Sequence, residues 1–289
     1  MYSFKQIKPE DTSDFEKFVY PRMREHFHRL KEVKTIRAVG AQLLGTPIGL
    51  IWGEGEPEEQ VFKVHSIFVS PKFRHIGVGQ GLLEEFESIV RANGWRKMKL
   101  EYIYEPTLDG SKEMLHKWGW YDHDRVIYQN IVEIKKFLEL DWVKKLQLPE
   151  PFVTFSWNAL DEHELSELKA AEGDWYPSNR SPFRKDPLTD HKASIGLRYR
   201  GAIIGWSILH RIDGQTSLCD CIFTREEFQT RGRAIPLAIE SLKKADAQHY
   251  KYVMFYVNAK NNHMRRFTKR RLASVLLADL EIRIMWKDL

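Results

Sequence analysis

The 289-residue sequence reads as an α/β protein in which one strand–loop–helix pattern is used twice. Three observations carry that reading. His65 to Leu83 runs strand, glycine-spaced loop, helix. Gln229 to Ala234 repeats the loop 155 residues further on. Gly49 and Gly205, inside the runs Ile-Gly-Leu-Ile and Ile-Gly-Trp-Ser, stand 156 residues apart. Two landmarks at nearly one spacing point to an internal repeat. The division expected from it is 1–148 and 149–289.

In the first half, Tyr2 to Ile7 alternates like a strand, and Pro9 to Ser13 carries helix-start chemistry. Phe15, Phe18 and Val19 give the next segment an apolar face, and Arg22 to Lys34 is polar and histidine-bearing, a second helix or loop. Thr35–Val39, Ile48–Trp52 and Val61–Val69 read as strands, with Glu54 to Glu59 an acidic connection. Pro71 ends the third, because proline has no N–H for a sheet ladder. Leu82, Leu83, Phe86, Ile89 and Val90 then fall at helical spacing, and Asn93-Gly94 stops the helix. Met98–Tyr104 is a strand, Lys112–Trp118 a helix, and Val126–Ile134 a last strand. A helical connector, Ile134 to Leu148, leads to Pro149 and Pro151.

The pattern then restarts. Phe152–Trp157 is a strand, and Asp161-Glu-His-Glu164 caps a helix. Gly173 to Pro187 is a long loop. Ser194–Tyr199, Ile203–Leu209 and Ser217–Thr224 are strands, the last two joined by the hairpin signal Asp213-Gly214. A helix follows the second loop, and Tyr252–Val257 is the next strand.

Hydrophobic residues are 43% and charged residues 29%, a globular balance. No apolar run is long enough to span a bilayer, and the N-terminus lacks an apolar signal core, so the expected compartment is the cytoplasm. Cys219 and Cys221, two apart on a strand, are expected to share a face as reduced thiols, with no metal role. The net charge of +5 gathers in the second half, much of it between His263 and Arg271. Such a run suits nucleic acid, a solvated helix face or cofactor phosphates. Without interleaved aromatics beyond Phe267, nucleic acid ranks last.

The loop carries the functional signal. Glycines let a backbone approach a ligand closely, and the first N–H groups of a helix bind phosphate. There is no G-x-x-x-x-G-K-[ST], and Leu82 stands where a dinucleotide fingerprint needs its third glycine. Arg74-His-Ile-Gly77-Val-Gly79, after Ile67-Phe-Val-Ser-Pro71, instead resembles the acetyl-CoA motif of the Gcn5-related N-acetyltransferase (GNAT) superfamily. Gln229-Thr-Arg-Gly232-Arg-Ala234 resembles it again, with alanine in the last place. The order of elements is also similar to that fold. The resemblance implies two tandem GNAT domains, an α/β (α+β) protein with each domain a mixed, mostly antiparallel sheet flanked by helices. In architecture the pair resembles mycothiol synthase and the zwittermicin-type antibiotic-resistance acetyltransferases.

The resemblance further implies acetyl-CoA as cofactor. Ile67, Phe68 and Val69 would pair with its pantetheine, and Arg74, His75, Ile76, Gly77, Val78, Gly79, Gln80 and Gly81 would form the pyrophosphate loop. In the second half Ile222, Phe223 and Thr224 would take the pantetheine. His65 is the candidate catalytic base: in arylalkylamine N-acetyltransferase, a GNAT, a proton-relaying histidine precedes the matching triplet by the same interval. Histidine suits the role because its pKa lies near neutrality. A strand histidine satisfied by a neighbour is the other reading. Asp220 is the matching position of the second half. The family's acidic tyrosine and its asparagine fall on Leu115 and Leu108, leaving His116, Tyr102 and Tyr104 as substitutes. In the second half Asn261 matches the asparagine, and the tyrosine falls on Thr268.

The expected activity is acetyl transfer to a primary amine of a small molecule, an amine-rich antibiotic among the acceptors, by a monomer with an intramolecular domain pair. The alternatives are a non-catalytic acyl-CoA sensor and transfer to a protein or peptide amine.

Overall fold

A computed structural model describes residues 2–105, 109–184, 188–229 and 232–289. The chain forms two compact units, 1–126 with 282–289, and 127–281.

Unit 1 begins with β1 (Tyr2–Gln6) and two short helices, α1 (Thr12–Phe15) and α2 (Arg24–His28). Then come β2 (Ile36–Leu43), β3 (Thr46–Glu56), β4 (Val61–Val69), α3 (Val78–Ala92) and β5 (Lys97–Ile103). After α4 (Asp109–Lys117) and β6 (Tyr121–Asp122), residues 282–288 close the sheet beside β5. β1 to β4 are antiparallel, whereas β4 and β5 are parallel, joined by the crossover helix α3. One face of the sheet buries Val78, Leu82, Phe86 and Val90 of α3 against Val39, Ile51 and Phe62. The other buries Phe15 and Phe27 of the short helices against Leu50 and Trp52.

Unit 2 starts with β7 (Ile127–Glu133), α5 (Ile134–Glu139) and α6 (Asp141–Lys144). β8 (Phe152–Ser156), α7 (Glu162–Ala170), β9 (Ile195–Tyr199), β10 (Ala202–Arg211) and β11 (Thr216–Thr224) follow. α8 (Glu226–Gln229), α9 (Ala234–Ala247), β12 (Tyr252–Asn258), α10 (Asn262–Arg271) and β13 (Leu276–Asp288) complete the chain. β11 and β12 are parallel, and β7 pairs antiparallel with β12 from Tyr252↔Glu133 to Asn258↔Ile127.

The expected cut at 148/149 therefore moves to 126/127. The segment expected to close the first half is β7, whose ladder partner is β12 in unit 2. The strand that does close unit 1 comes from the C-terminus. The acidic connection is also shorter than expected, since β3 continues through Glu56.

The repeat is visible in the ladders. Gly49 stands opposite Val69, and Gly205 opposite Thr224. A Cβ at either glycine would press on the neighbouring strand, 2.9 Å from the Phe68 carbonyl oxygen and 2.3 Å from that of Phe223. Each strand before its loop also carries a bulge. Trp52 pairs with Ser66 and Gly53 with Val64, which leaves His65 unpaired. Ile208 pairs with Cys221 and Leu209 with Cys219, which leaves Asp220 unpaired. A bulge inserts one residue and reverses the alternation of faces. That corrects the expectation for the cysteines: both are free thiols, but Cys219 packs with Leu209 and Ile239, and Cys221 with Trp206 and Phe223.

Candidate acyl-transfer site

In unit 1 the parallel pairing of β4 with β5 runs only from Phe62↔Met98 to Val64↔Leu100. β4 continues to Val69 and β5 to Ile103, so the strands part into a wedge just where the bulge stands. Beyond it, among the described residues, the edge of β4 that faces β5 has no ladder partner. An extended ligand can add there as a strand adds to a sheet edge. Ile67 and Val69 are half-buried on the α3 face, while Phe68 is on the opposite face, stacked on Phe18 with ring centroids 5.6 Å apart.

The chain turns from β4 into α3 through two left-handed residues, His75 (φ 64°) and Gly77 (φ 88°). Gly77 is the N-cap of α3, and no side chain caps the helix there. Gly81 N–H donates to the Gly77 carbonyl at 3.0 Å, so the N–H groups of Val78, Gly79 and Gln80 have no acceptor within the helix. Arg74 Nε donates to the Val69 carbonyl at 2.9 Å and ties the loop to the strand end. A Cβ at Gly79 would meet only Val69 Cγ2, at 3.8 Å. Backbone donors, a left-handed turn and empty space beside Val69 fit a phosphate-bearing chain.

Not every predicted loop residue faces that space. Val78 is buried in the core. A Cβ at Gly81 would lie 2.2 Å from the Phe4 ring, so that glycine serves the approach of helix to sheet. Gln80 donates to Glu84 along the helix, and Ile76 is exposed.

His65 lies on the α1–α2 face. Its ring is 4.5 Å from that of Trp52, and its Nε2 is buried without a hydrogen-bond partner among the described residues, 4.0 Å from Glu54 Oε2. The same carboxylate oxygen is 2.7 Å from His26 Nε2, and Glu54 Oε1 accepts from Thr35 Oγ1 at 3.3 Å. Burial, then the charges of Lys63, His26 and Lys99, push the His65 pKa down to about 3. The imidazole is therefore neutral at physiological pH, with a free lone pair. Sequence reasoning found His65 but passed over Glu54 and His26. Glu54 falls in the segment read as an acidic connection and His26 in the one read as a second helix or loop, and the β3–β4 ladder is what puts Glu54 close to His65.

Of the three acid substitutes, Tyr102 fits best. It is on β5 within the wedge, packs on the α3 face, and its hydroxyl is buried without a partner among the described residues. Burial raises its pKa, which keeps the phenol protonated. Arg283 stacks on Tyr104, and His116 is exposed beside Asp122 at 3.3 Å. Leu115 is core, and Leu108 lies outside the described residues.

Unit 2 repeats the wedge with different chemistry. β11 and β12 pair from Thr216↔Tyr252 to Cys219↔Phe255 and then part. Gln229 Nε2 donates to the Thr224 carbonyl at 2.8 Å, as Arg74 does to Val69. Asp220, at the bulge, is held by Arg184 Nη2 at 3.1 and 2.9 Å, with His210 Nδ1 4.0 Å away. Gly232 is left-handed (φ 64°), Arg233 is the N-cap of α9, and Pro236 removes one early N–H. Asn261 caps α10 through the Met264 N–H, and Thr268 bonds the Met264 carbonyl. Tyr176 is core, its hydroxyl donating to the Leu168 carbonyl at 2.6 Å.

Residues 4–120 match the model of the Acetyltransferase (GNAT) family. The whole chain is similar in fold to a tandem GNAT protein from the clavulanic acid biosynthesis pathway, with a TM-score of 0.74 at 12% identity, covering 100% of this chain and 98% of that one. A GCN5-related N-acetyltransferase from Sphaerobacter thermophilus gives 0.69 at 14% identity, covering 99% and 95%. A GCN5-related glucosamine N-acetyltransferase region of a fungal multi-domain GH3 beta-N-acetylglucosaminidase gives 0.74 at 15% identity, covering 99% of this chain and 38% of that one. At such identities the likeness is one of fold. No curated protein matches the sequence.

Proposed function

We propose that this chain, whose residues 4–120 match the GNAT acetyltransferase family and whose whole length has the tandem form of that fold, is an acyltransferase that moves acetyl from acetyl-CoA to the primary amine of a small molecule at the wedge of unit 1. The observation that carries this reading is the parting of β4 and β5 beside the uncapped start of α3. When bound, the thioester supplies the acyl group and a sulfur leaving group.

The residues divide the work as follows. The N–H groups that open α3 bind the pyrophosphate, and the free edge of Ile67 to Val69 aligns the pantetheine. His65 Nε2 receives the proton that the acceptor nitrogen loses on attacking the thioester carbonyl. Burial and the charges of Lys63, His26 and Lys99 disfavour the imidazolium, so His65 holds the proton only in passing, with the Glu54 carboxylate 4.0 Å away. As the carbon–sulfur bond breaks, the Tyr102 hydroxyl donates to the sulfur. His65 and Tyr102 pack on opposite faces of the sheet, so acceptor and donor approach the wedge from different sides. Unit 2 is assigned no catalytic step, because Arg184 already engages the carboxylate at its bulge. The cytoplasm is the compartment we propose; no described helix is long and apolar enough to cross a membrane.

Release of free CoA thiol with a panel of amines tests the reading. Polyamines, aminosugars, an amine-rich antibiotic and a peptide with a free N-terminus make up the panel. Turnover is expected with at least one small amine, with kcat/KM falling roughly 10²–10⁴-fold in His65→Gln, the usual span for a lost general base. CoA binding without turnover on any amine would favour the sensor instead.

A further inference from the structure

Three donors of metal-ligating type meet on the α1–α2 face of unit 1. His26 comes from α2, Glu54 from β3 and His65 from β4, so tertiary structure rather than chain proximity brings them together. One ligand atom from each lies within 4.8 Å of the others. His65 Nε2 is buried and unpartnered, and it stands 4.0 Å from Glu54 Oε2, the atom that His26 Nε2 approaches to 2.7 Å. Thr35 Oγ1 holds the second carboxylate oxygen, the kind of outer partner that orients a ligating carboxylate. Trp52 walls the cluster, its ring 4.5 Å from His65 and 5.8 Å from His26.

The spacing suits a small tetrahedral ion. With bonds of about 2.0–2.1 Å, a tetrahedral zinc separates its donors by about 3.4 Å. The separations of 2.7 and 4.0 Å straddle that value. Moving the carboxylate oxygen roughly 0.6 Å from His26 towards His65 brings both close to it.

We propose that His26, Glu54 and His65 form a binding site for a zinc-class divalent cation, and that its occupancy shuts off acyl transfer by taking the lone pair of His65. Two imidazoles and one carboxylate favour zinc, cobalt or nickel over magnesium or calcium, which take oxygen donors. Inhibition rests on the role proposed above for His65; binding of the ion does not.

Zinc is titrated into the metal-free full chain in competition with a chromophoric chelator. The expected result is one zinc per chain with a Kd in the micromolar range or tighter, not displaced by millimolar magnesium. His26→Ala and His65→Ala should each weaken binding by about 100-fold or more, beyond the roughly 10–100-fold typical of outer partners, and Thr35→Val by about 10-fold. Glu54→Gln, which keeps the shape of the side chain, should lose zinc while retaining the circular dichroism spectrum and melting curve of the parent. Cys219→Ser should bind zinc as the parent does. No binding by the parent, or binding that survives Glu54→Gln and His26→Ala in folded protein, would overturn the site. Inhibition at the zinc concentration that fills the site supports the second half of the proposal. A filled site with undiminished turnover would overturn that half, and with it the role of His65, while leaving the binding site in place.

Discussion

Gly79 and Gly81 are two residues apart in the same helical turn, yet the structure assigns them opposite sensitivities. A Cβ at Gly79 meets only Val69 Cγ2, at 3.8 Å, so Gly79→Val leaves the fold in place. Glycine is about 1 kcal/mol worse than alanine in a helix and valine roughly 0.6 worse, so the exchange is neutral within about 0.5 kcal/mol. The new side chain fills the space beside Val69 that the pyrophosphate needs. Each charge-assisted hydrogen bond lost costs about 1.5–3 kcal/mol, a weakening of roughly 10- to 150-fold per bond. At Gly81 the added atom lies 2.2 Å from the Phe4 ring, so Gly81→Ala forces that ring to move. Overpacking of this kind costs about 1–3 kcal/mol, with CoA binding retained in the fraction that folds. Thermal melting measures the first effect, and titration calorimetry with CoA the second. A Gly79→Val protein that melts like the parent and binds CoA as tightly would refute the loop assignment. A Gly81→Ala protein of full stability that loses CoA would refute the packing argument.

Other consequences are as specific. Tyr102→Phe removes a buried hydroxyl that has no partner, so stability should hold or rise slightly while kcat falls about 10²–10⁴-fold; unchanged turnover would discharge Tyr102 as the acid. Ala234→Val, at the start of α9 in unit 2, should alter melting and spare turnover, and loss of turnover there with survival of turnover in Gly79→Val would move the active site to unit 2. Burial would raise the Asp190 carboxyl, but the Tyr250 hydroxyl and the N–H groups of Ala193 and Lys192 outweigh it and hold the pKa below the ordinary value of 3.8. A depressed carboxyl contributes its stability above the unfolded pKa and loses it as pH falls through the folded one. Asp190→Asn should therefore lower stability at pH 7 by about 1–3 kcal/mol and flatten the acid limb of the melting profile below pH 4; an unchanged acid limb would show that Asp190 does not contribute to it.

The repeat was legible because its landmarks are backbone requirements. Gly49 and Gly205 are glycine because the next strand's carbonyl leaves no room for a Cβ, and Arg74 and Gln229 hold equivalent strand ends. Such constraints leave a fixed spacing in the chain. The bulges left no comparable mark, since an extra residue in a strand looks like any other. The alternation of faces was therefore misread at Cys219 and Cys221. β13 and the pairing of β7 with β12 were missed for another reason: the choice of ladder partner is a long-range matter that no local pattern encodes. In the proposed site, the loop is marked in the sequence by its motif and His65 by its interval from Ile67. Glu54 and His26 are not, because they join the site only through the β3–β4 register and the position of α2.

The most direct test of the central claim is a crystal structure with CoA bound. Pyrophosphate density is expected at the N–H groups from His75 to Gln80, with the pantetheine running along Ile67 to Val69 in the wedge of unit 1. CoA bound only between β11 and β12, with the unit 1 wedge empty at saturating CoA, would contradict it.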